Sequence, residues 1–269
     1  MLNMLRAILF RLRKSGALIA APLAAVAVFA IFGAAELEMG FWNGRWASGE
    51  TYDPTFLGLA GRVAFGSVPL LPCMAGIWCV QLFTDDIAGL PSGAAMKNVV
   101  VRPRARLHYL GAQLLTMLTS CVVSTVLLLA VCAWLPGAWG VETPPVDAAS
   151  VAAWAALAAL TGFCFCSISL CACMFARSSR IAWVLAFAIC YGIVGKLLML
   201  PLALFTMGGG ASAALEMSSM LPSTHAYVLG EGLGYFSYPG AMLKIVFYPL
   251  LWSVIAVLVA YARLRRRSF

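Results

Sequence analysis

Six long apolar runs alternate with shorter polar stretches along the chain, and each is close to the ~20 residues that carry a helix across ~30 Å of hydrocarbon. They cover about residues 16–35, 61–83, 109–134, 150–175, 181–204 and 241–261. This pattern predicts an all-α integral membrane protein with six transmembrane helices in a single domain spanning 1–269. Pro69 and Pro72 predict a kink in the second run, and Pro136-Gly137 predicts the end of the third.

The polar stretches differ in character. Met1 to Lys14 mixes Arg6, Arg11, Arg13 and Lys14 with Leu, Ile and Phe, as in an interfacial amphipathic helix whose arginines snorkel. A cleaved signal peptide fits less well, because the following run continues to Ala35 and ends in Glu36-Leu37-Glu38. Glu36 to Pro54 carries four acids with Phe41, Trp42, Trp46 and Tyr52, which read as interfacial anchors. Residues 207–239 are too apolar for a freely solvated loop, and 211–220 and 224–229 each suit a short helix.

The stretch Phe83 to Gln113 holds more than a connection needs. Ser92 is a good N-cap, Gly93 to Val101 contains no proline, and Met96, Val99 and Val100 fall on one helical face. Asp85 and Asp86 precede this short helix, while Lys97, Arg102, Arg104 and Arg106 lie within and after it; Pro103 sets a helix boundary near Arg102.

Composition narrows the class. With 63% hydrophobic and 10% charged residues, the chain is too apolar for a soluble domain. The net charge of +8 is no argument for nucleic acid, because cations gather on one side of a membrane protein. Fourteen of the eighteen Lys and Arg residues fall in the N-terminal segment, the 85–108 loop, the 176–180 turn and the C-terminus, and eight of the ten acids fall in the alternate stretches. The positive-inside rule then puts both termini in the cytoplasm of a multi-pass protein of the plasma or inner membrane.

All nine cysteines lie inside apolar runs, so no disulfide framework is implied. Cys164 and Cys171 share one helical face and Cys166 and Cys173 the opposite one, which makes them packing residues rather than four converging metal ligands. The two histidines, His108 and His225, fall on opposite sides, and no acid sits mid-span, which argues against a membrane enzyme. No G-x-x-x-x-G-K-[ST] phosphate loop is present, so the chain is not expected to hydrolyse ATP itself. Lys196, well inside the fifth run, either snorkels to the outer interface or faces a translocation path.

The loop resembles the first cytoplasmic loop of ATP-binding-cassette exporter permeases of the second type, the group that includes bacitracin-export and lantibiotic-immunity permeases. The matching residues are Asp86, Ser92, Gly93, Lys97, Asn98, Arg102, Pro103, Arg106 and Tyr109. Many members have one residue fewer between the glycine and the lysine, and a serine where Ala105 stands. The resemblance implies that Gly93 to Val101 is a coupling helix docking on a separate ATPase subunit. Asp86, Ser92, Gly93, Met96, Lys97, Asn98, Val99, Val100, Arg102 and Arg106 would then form that contact. It also implies short helices dipping into the outer leaflet before the last span. Cofactors are then absent from this chain, since ATP is bound by the partner. The partners are an ABC ATPase subunit, a second permease copy or a paralogue, and the lipid bilayer. The function implied is that of a permease subunit of an exporter, for antimicrobial peptides or drugs. The alternative is an ATP-independent carrier, which should show broken helices repeated in two halves, or a non-transporting membrane assembly protein.

Overall fold

The computed structural model describes residues 2–14, 16–42, 55–66, 68–74, 76, 103–176, 179–195, 197, 220–232 and 241–266, and every regular element in it is an α-helix. Four helices are long and apolar enough to cross a bilayer: α2 (Ala17–Trp42), α4 (Pro103–Ala138), α5 (Ala148–Phe175) and α8 (Ala241–Arg266). Four shorter ones complete the described set: α1 (Leu2–Lys14), α3 (Phe56–Phe65), α6 (Ser179–Cys190) and α7 (Pro222–Gly230).

The amphipathic N-terminal helix is present as α1. It packs on α4 and α2, burying Ile8 and Leu12, while Leu9 and Phe10 stay exposed alongside Arg6, Arg13 and Lys14. Gly16, at φ +71°, turns the chain from α1 into α2, a conformation that a side chain would strain. The first span is longer than its apolar run. α2 continues through Glu36, Leu37 and Glu38, good helix formers with no breaker among them, and its 26 residues reach about 39 Å.

The second run departs furthest from expectation. Thr55 caps α3, its side chain accepting from the Gly58 N–H at 3.3 Å, so the helix starts before residue 61. It stops after ten residues, about 15 Å and half of a bilayer core. Instead of a kink at the prolines, the helix ends at Phe65 with Gly66 as its C-cap, and Val68 and Pro69 are not helical. The Gly66 N–H closes on Arg62 O at 2.8 Å, and a Cβ at Gly66 would collide with that carbonyl. A further turn follows, with Cys73 N–H bonded to Pro69 O.

Pro103 does mark a boundary: it is the first residue of α4, where its missing N–H costs nothing. α4 then runs through Pro136 rather than ending there. α5 begins just after Asp147, whose carboxylate accepts from the Ser150 N–H at 2.9 Å. The Ser150 hydrogen bonds hold the Asp147 carboxyl below the usual aspartate range. The fifth run opens as α6 but turns at Gly192, at φ +77°, so α6 covers only its first half.

α5 lies at the centre, packed against α4, α6, α7 and α8, and its buried residues lie all round the helix. Several hydroxyls inside the long helices bond back within their own helix, as Thr125 to Cys121 O, Ser167 to Phe163 O and Ser253 to Pro249 O. Such groups enter an apolar interior without an unmet donor.

Two clusters build the core. One, at the end carrying the helix-terminal arginines, joins Tyr109, Leu110, Met117, Met174, Ala182, Ala260 and Leu264. The other, toward the far end, joins Phe29, Leu37, Leu57, Leu71, Leu135, Trp154, Ala226 and Leu229. α2 and α4 meet closely at Gly33, where a Cβ would come within 2.7 Å of Leu135 Cδ2.

Candidate functional site

Of the residues expected to contact an ATPase, Arg106 is described; Asp86, Ser92, Gly93, Met96, Lys97, Asn98, Val99, Val100 and Arg102 lie outside the described residues. Arg106 stands in the first turns of α4. Its Nη1 donates to Leu264 O at 3.0 Å and to Arg265 O at 2.7 Å, the last carbonyls of α8. A cation at the N-terminal end of its own helix is poorly placed, but the neighbouring C-terminal end of α8 carries partial negative charge and unmet carbonyls. Nearby, Arg263 lies over the Phe175 ring at 5.3 Å, tying α8 to the end of α5. Tyr109 is buried beneath, its hydroxyl accepting from Gln113 Nε2 at 2.9 Å. The end of the bundle that receives the loop is therefore one packed unit of α4, α5 and α8.

The far end holds a second assembly. The short helices α3 and α7 cross at glycine: a Cβ at Gly61 would come within 2.7 Å of Leu229 O and 2.8 Å of Gly230 O. Trp154 Nε1 donates to Leu229 O at 3.3 Å, Trp252 Nε1 to Met220 O at 2.8 Å, and His225 stacks on Tyr248 with ring centroids 5.6 Å apart. Thus 224–229 is helical as expected and is held on three sides, whereas 211–219 lies outside the described residues. Lys196 also lies outside them; its neighbour Gly195 packs so that a Cβ would come within 2.5 Å of Ser223 Oγ, at the start of α7.

One charged pair escaped the sequence reading. Arg62 Nε lies 3.8 Å from Glu36 Oε2, joining α3 to α2, with side chains only 12% and 22% exposed. A run that starts at residue 61 puts Arg62 at a span edge and leaves Glu36 in a polar stretch. Both α2 and α3 are displaced from those runs, and the displacement brings the two charges together inside the bundle. The available signal was an acid at the end of one apolar run and an arginine at the start of the next.

The cysteines pack against different helices. Cys166 meets Cys121 of α4, with Sγ atoms 3.8 Å apart, Cys173 contacts Ala182 O of α6, and Cys190 lies 3.3 Å from Ser169 Oγ. Among the described residues, no three His, Cys, Asp or Glu side chains are arranged to hold a metal ion.

Residues 9–195 match the family model described as ABC-2 family transporter protein. The chain belongs to this family. No curated protein matches it. The match to the ABC-2 transporter family runs from α1 through the basic loop and Arg106 to Gly195, before α7 and α8. Membership makes the chain a multi-pass membrane component of an ABC transporter, its permease subunit, and implies an ATPase subunit as partner. An ABC-2 permease is a transport component rather than a typical enzyme.

Proposed function

We propose that this permease belongs to an exporter of the bacitracin-export or lantibiotic-immunity kind, with antimicrobial peptides or drugs as cargo. The observation that carries this reading is the family match across the basic loop, together with the Ser92-Gly93…Lys97-Asn98…Arg102-Pro103…Arg106 pattern within it. The chain crosses the cell or inner membrane six times with both termini in the cytoplasm. It pairs with a second copy or a related permease around a path to which Lys196 contributes. ATP bound by two ATPase subunits drives the cycle, and this chain binds no cofactor.

The coupling helix, Gly93 to Val101, seats in a groove of the ATPase. Met96, Val99 and Val100 supply apolar contact, and Asp86, Ser92, Lys97, Asn98 and Arg102 set the helix and its orientation. The test is co-purification with a co-expressed ABC ATPase from the same genome, with a resistance assay for export. The double substitution Met96→Asp and Val99→Asp leaves every Lys and Arg in place, so membrane insertion should persist. Two unpaired carboxylates in an apolar interface cost several kcal/mol, enough to weaken the complex by roughly 100-fold or more. A double variant that still holds the ATPase and confers full resistance would exclude this coupling helix. A Lys196→Met permease that inserts normally but exports less supports the path assignment, and unchanged export removes it.

A further inference from the structure

From the geometry of its basic end, we infer that Arg106 is the positioning residue that carries movement of the coupling loop into the last helix, α8. This deepens the permease reading and rests on it. Pro103 starts α4, so the chain is rigid helix from the residue that closes the loop. One turn later, Arg106 grips the Leu264 and Arg265 carbonyls at 3.0 and 2.7 Å, across 158 residues of sequence. Two charge-assisted bonds from one guanidinium fix both distance and direction, which a single ammonium does less well. The grip has a packed base, since Tyr109, Leu110, Ala260 and Leu264 are all buried in one cluster.

A push on the loop therefore does not stop at α4. It reaches the end of α8, and through Arg263 on Phe175 the end of α5 as well. The Leu264 and Arg265 acceptors are main-chain carbonyls, so these two bonds ask only that α8 end at the height of Arg106. α8 lies beyond the residues matched by the family model, and the clip links that segment to the matched part.

The test compares native, Arg106→Gln and Arg106→Lys permease, each co-expressed with its ATPase. Spin labels are placed by His108→Cys on α4 and Ala262→Cys on α8, in a chain whose native cysteines are replaced. With the clip intact, the separation of the labels is the same without nucleotide and after trapping with ATP and vanadate. In Arg106→Gln the separation should broaden already without nucleotide, and Arg106→Lys should fall between. A second measurement needs no cysteine changes. Purified permease is treated with trypsin and the released peptides are timed by mass spectrometry, so that cleavage at Arg263 and Arg265 is read apart from cleavage at Arg266 and Arg267. Loss of two bonds to a charged donor should speed cleavage at Arg263 and Arg265 by about tenfold in Arg106→Gln. Equal label separations, or equal cleavage rates, in native and Arg106→Gln chains would overturn the clip. If even the native chain holds no ATPase, the permease reading fails, and the trypsin rates still decide whether Arg106 holds α8.

Discussion

Adding one methyl group at Gly61 should loosen the far end of the bundle, and the same change at Gly162 should not. At Gly61 the new Cβ would stand 2.7 Å from Leu229 O and 2.8 Å from Gly230 O, both main-chain atoms of α7. Ordinary contact begins near 3.4 Å, so α3 and α7 must separate by about 0.7 Å. The movement also strains the Trp154 Nε1 bond to Leu229 O, already 3.3 Å long. Overpacking of this kind costs about 1–3 kcal/mol. Both colliding atoms are main chain and cannot swing aside, which puts the cost at about 2–3 kcal/mol. Alanine recovers up to ~1 kcal/mol of helix propensity over glycine, leaving a net loss of about 1–2 kcal/mol. At Gly162 the nearest atoms to a new Cβ are Cys121 Sγ at 3.6 Å and Cys121 Cβ at 3.8 Å, ordinary contacts. There only the propensity gain remains, so Gly162→Ala is neutral or stabilising by up to ~1 kcal/mol. The buried thiols report unfolding directly: Cys121, Cys132, Cys164, Cys166, Cys173 and Cys190 are all buried, so a fluorogenic maleimide labels them as the bundle opens on heating. The Gly61→Ala midpoint should fall by a few degrees, on the order of 2–4 °C per kcal/mol for a chain of this size. A Gly61→Ala permease that melts with or above the native chain would refute the close crossing of α3 and α7.

The Arg62–Glu36 pair should show coupling in the same assay. Arg62→Met leaves Glu36 partly buried and uncompensated and should cost about 2 kcal/mol, while adding Glu36→Gln should recover part of the loss; strictly additive effects would deny the pair. The depressed Asp147 pKa makes a signed prediction. Its cap on α5 contributes fully above the ordinary aspartate pKa of ~3.9 and fades as pH falls through the lower folded value, so Asp147→Ala should erase that part of the acid sensitivity. Unchanged acid sensitivity in Asp147→Ala would count against the cap. Orientation can be read in intact cells lacking native cysteines. Ser48→Cys and Ser212→Cys should react with an impermeant thiol reagent and Ser92→Cys and Ser268→Cys should not, and labelling at position 92 would reverse the topology.

Membrane class and the positions of three long helices were legible in the sequence, because both follow from local quantities. Apolar length and boundary residues placed spans at 109–134, 150–175 and 241–261, against α4 at Pro103–Ala138, α5 at Ala148–Phe175 and α8 at Ala241–Arg266. A hydrophobic run must be covered by lipid or protein wherever it lies, so its length marks a buried or membrane segment, and a long one without an internal breaker marks a crossing helix. The amphipathic α1 and the helix at 224–229 were legible for a similar reason, since each pattern is contained within a few turns. The tertiary structure decided what depends on a neighbour. α3 breaks at Gly66 rather than kinking at Pro69, and its Gly61 is shaped by the end of α7, more than 160 residues away. Arg62 became part of a charge pair only when α2 continued far enough to present Glu36. Arg106 could be picked out as a loop cation, but its target is two backbone carbonyls of α8. Every residue carries such a carbonyl, so no side-chain pattern in α8 marks the place, and only the packing of the helices reveals it.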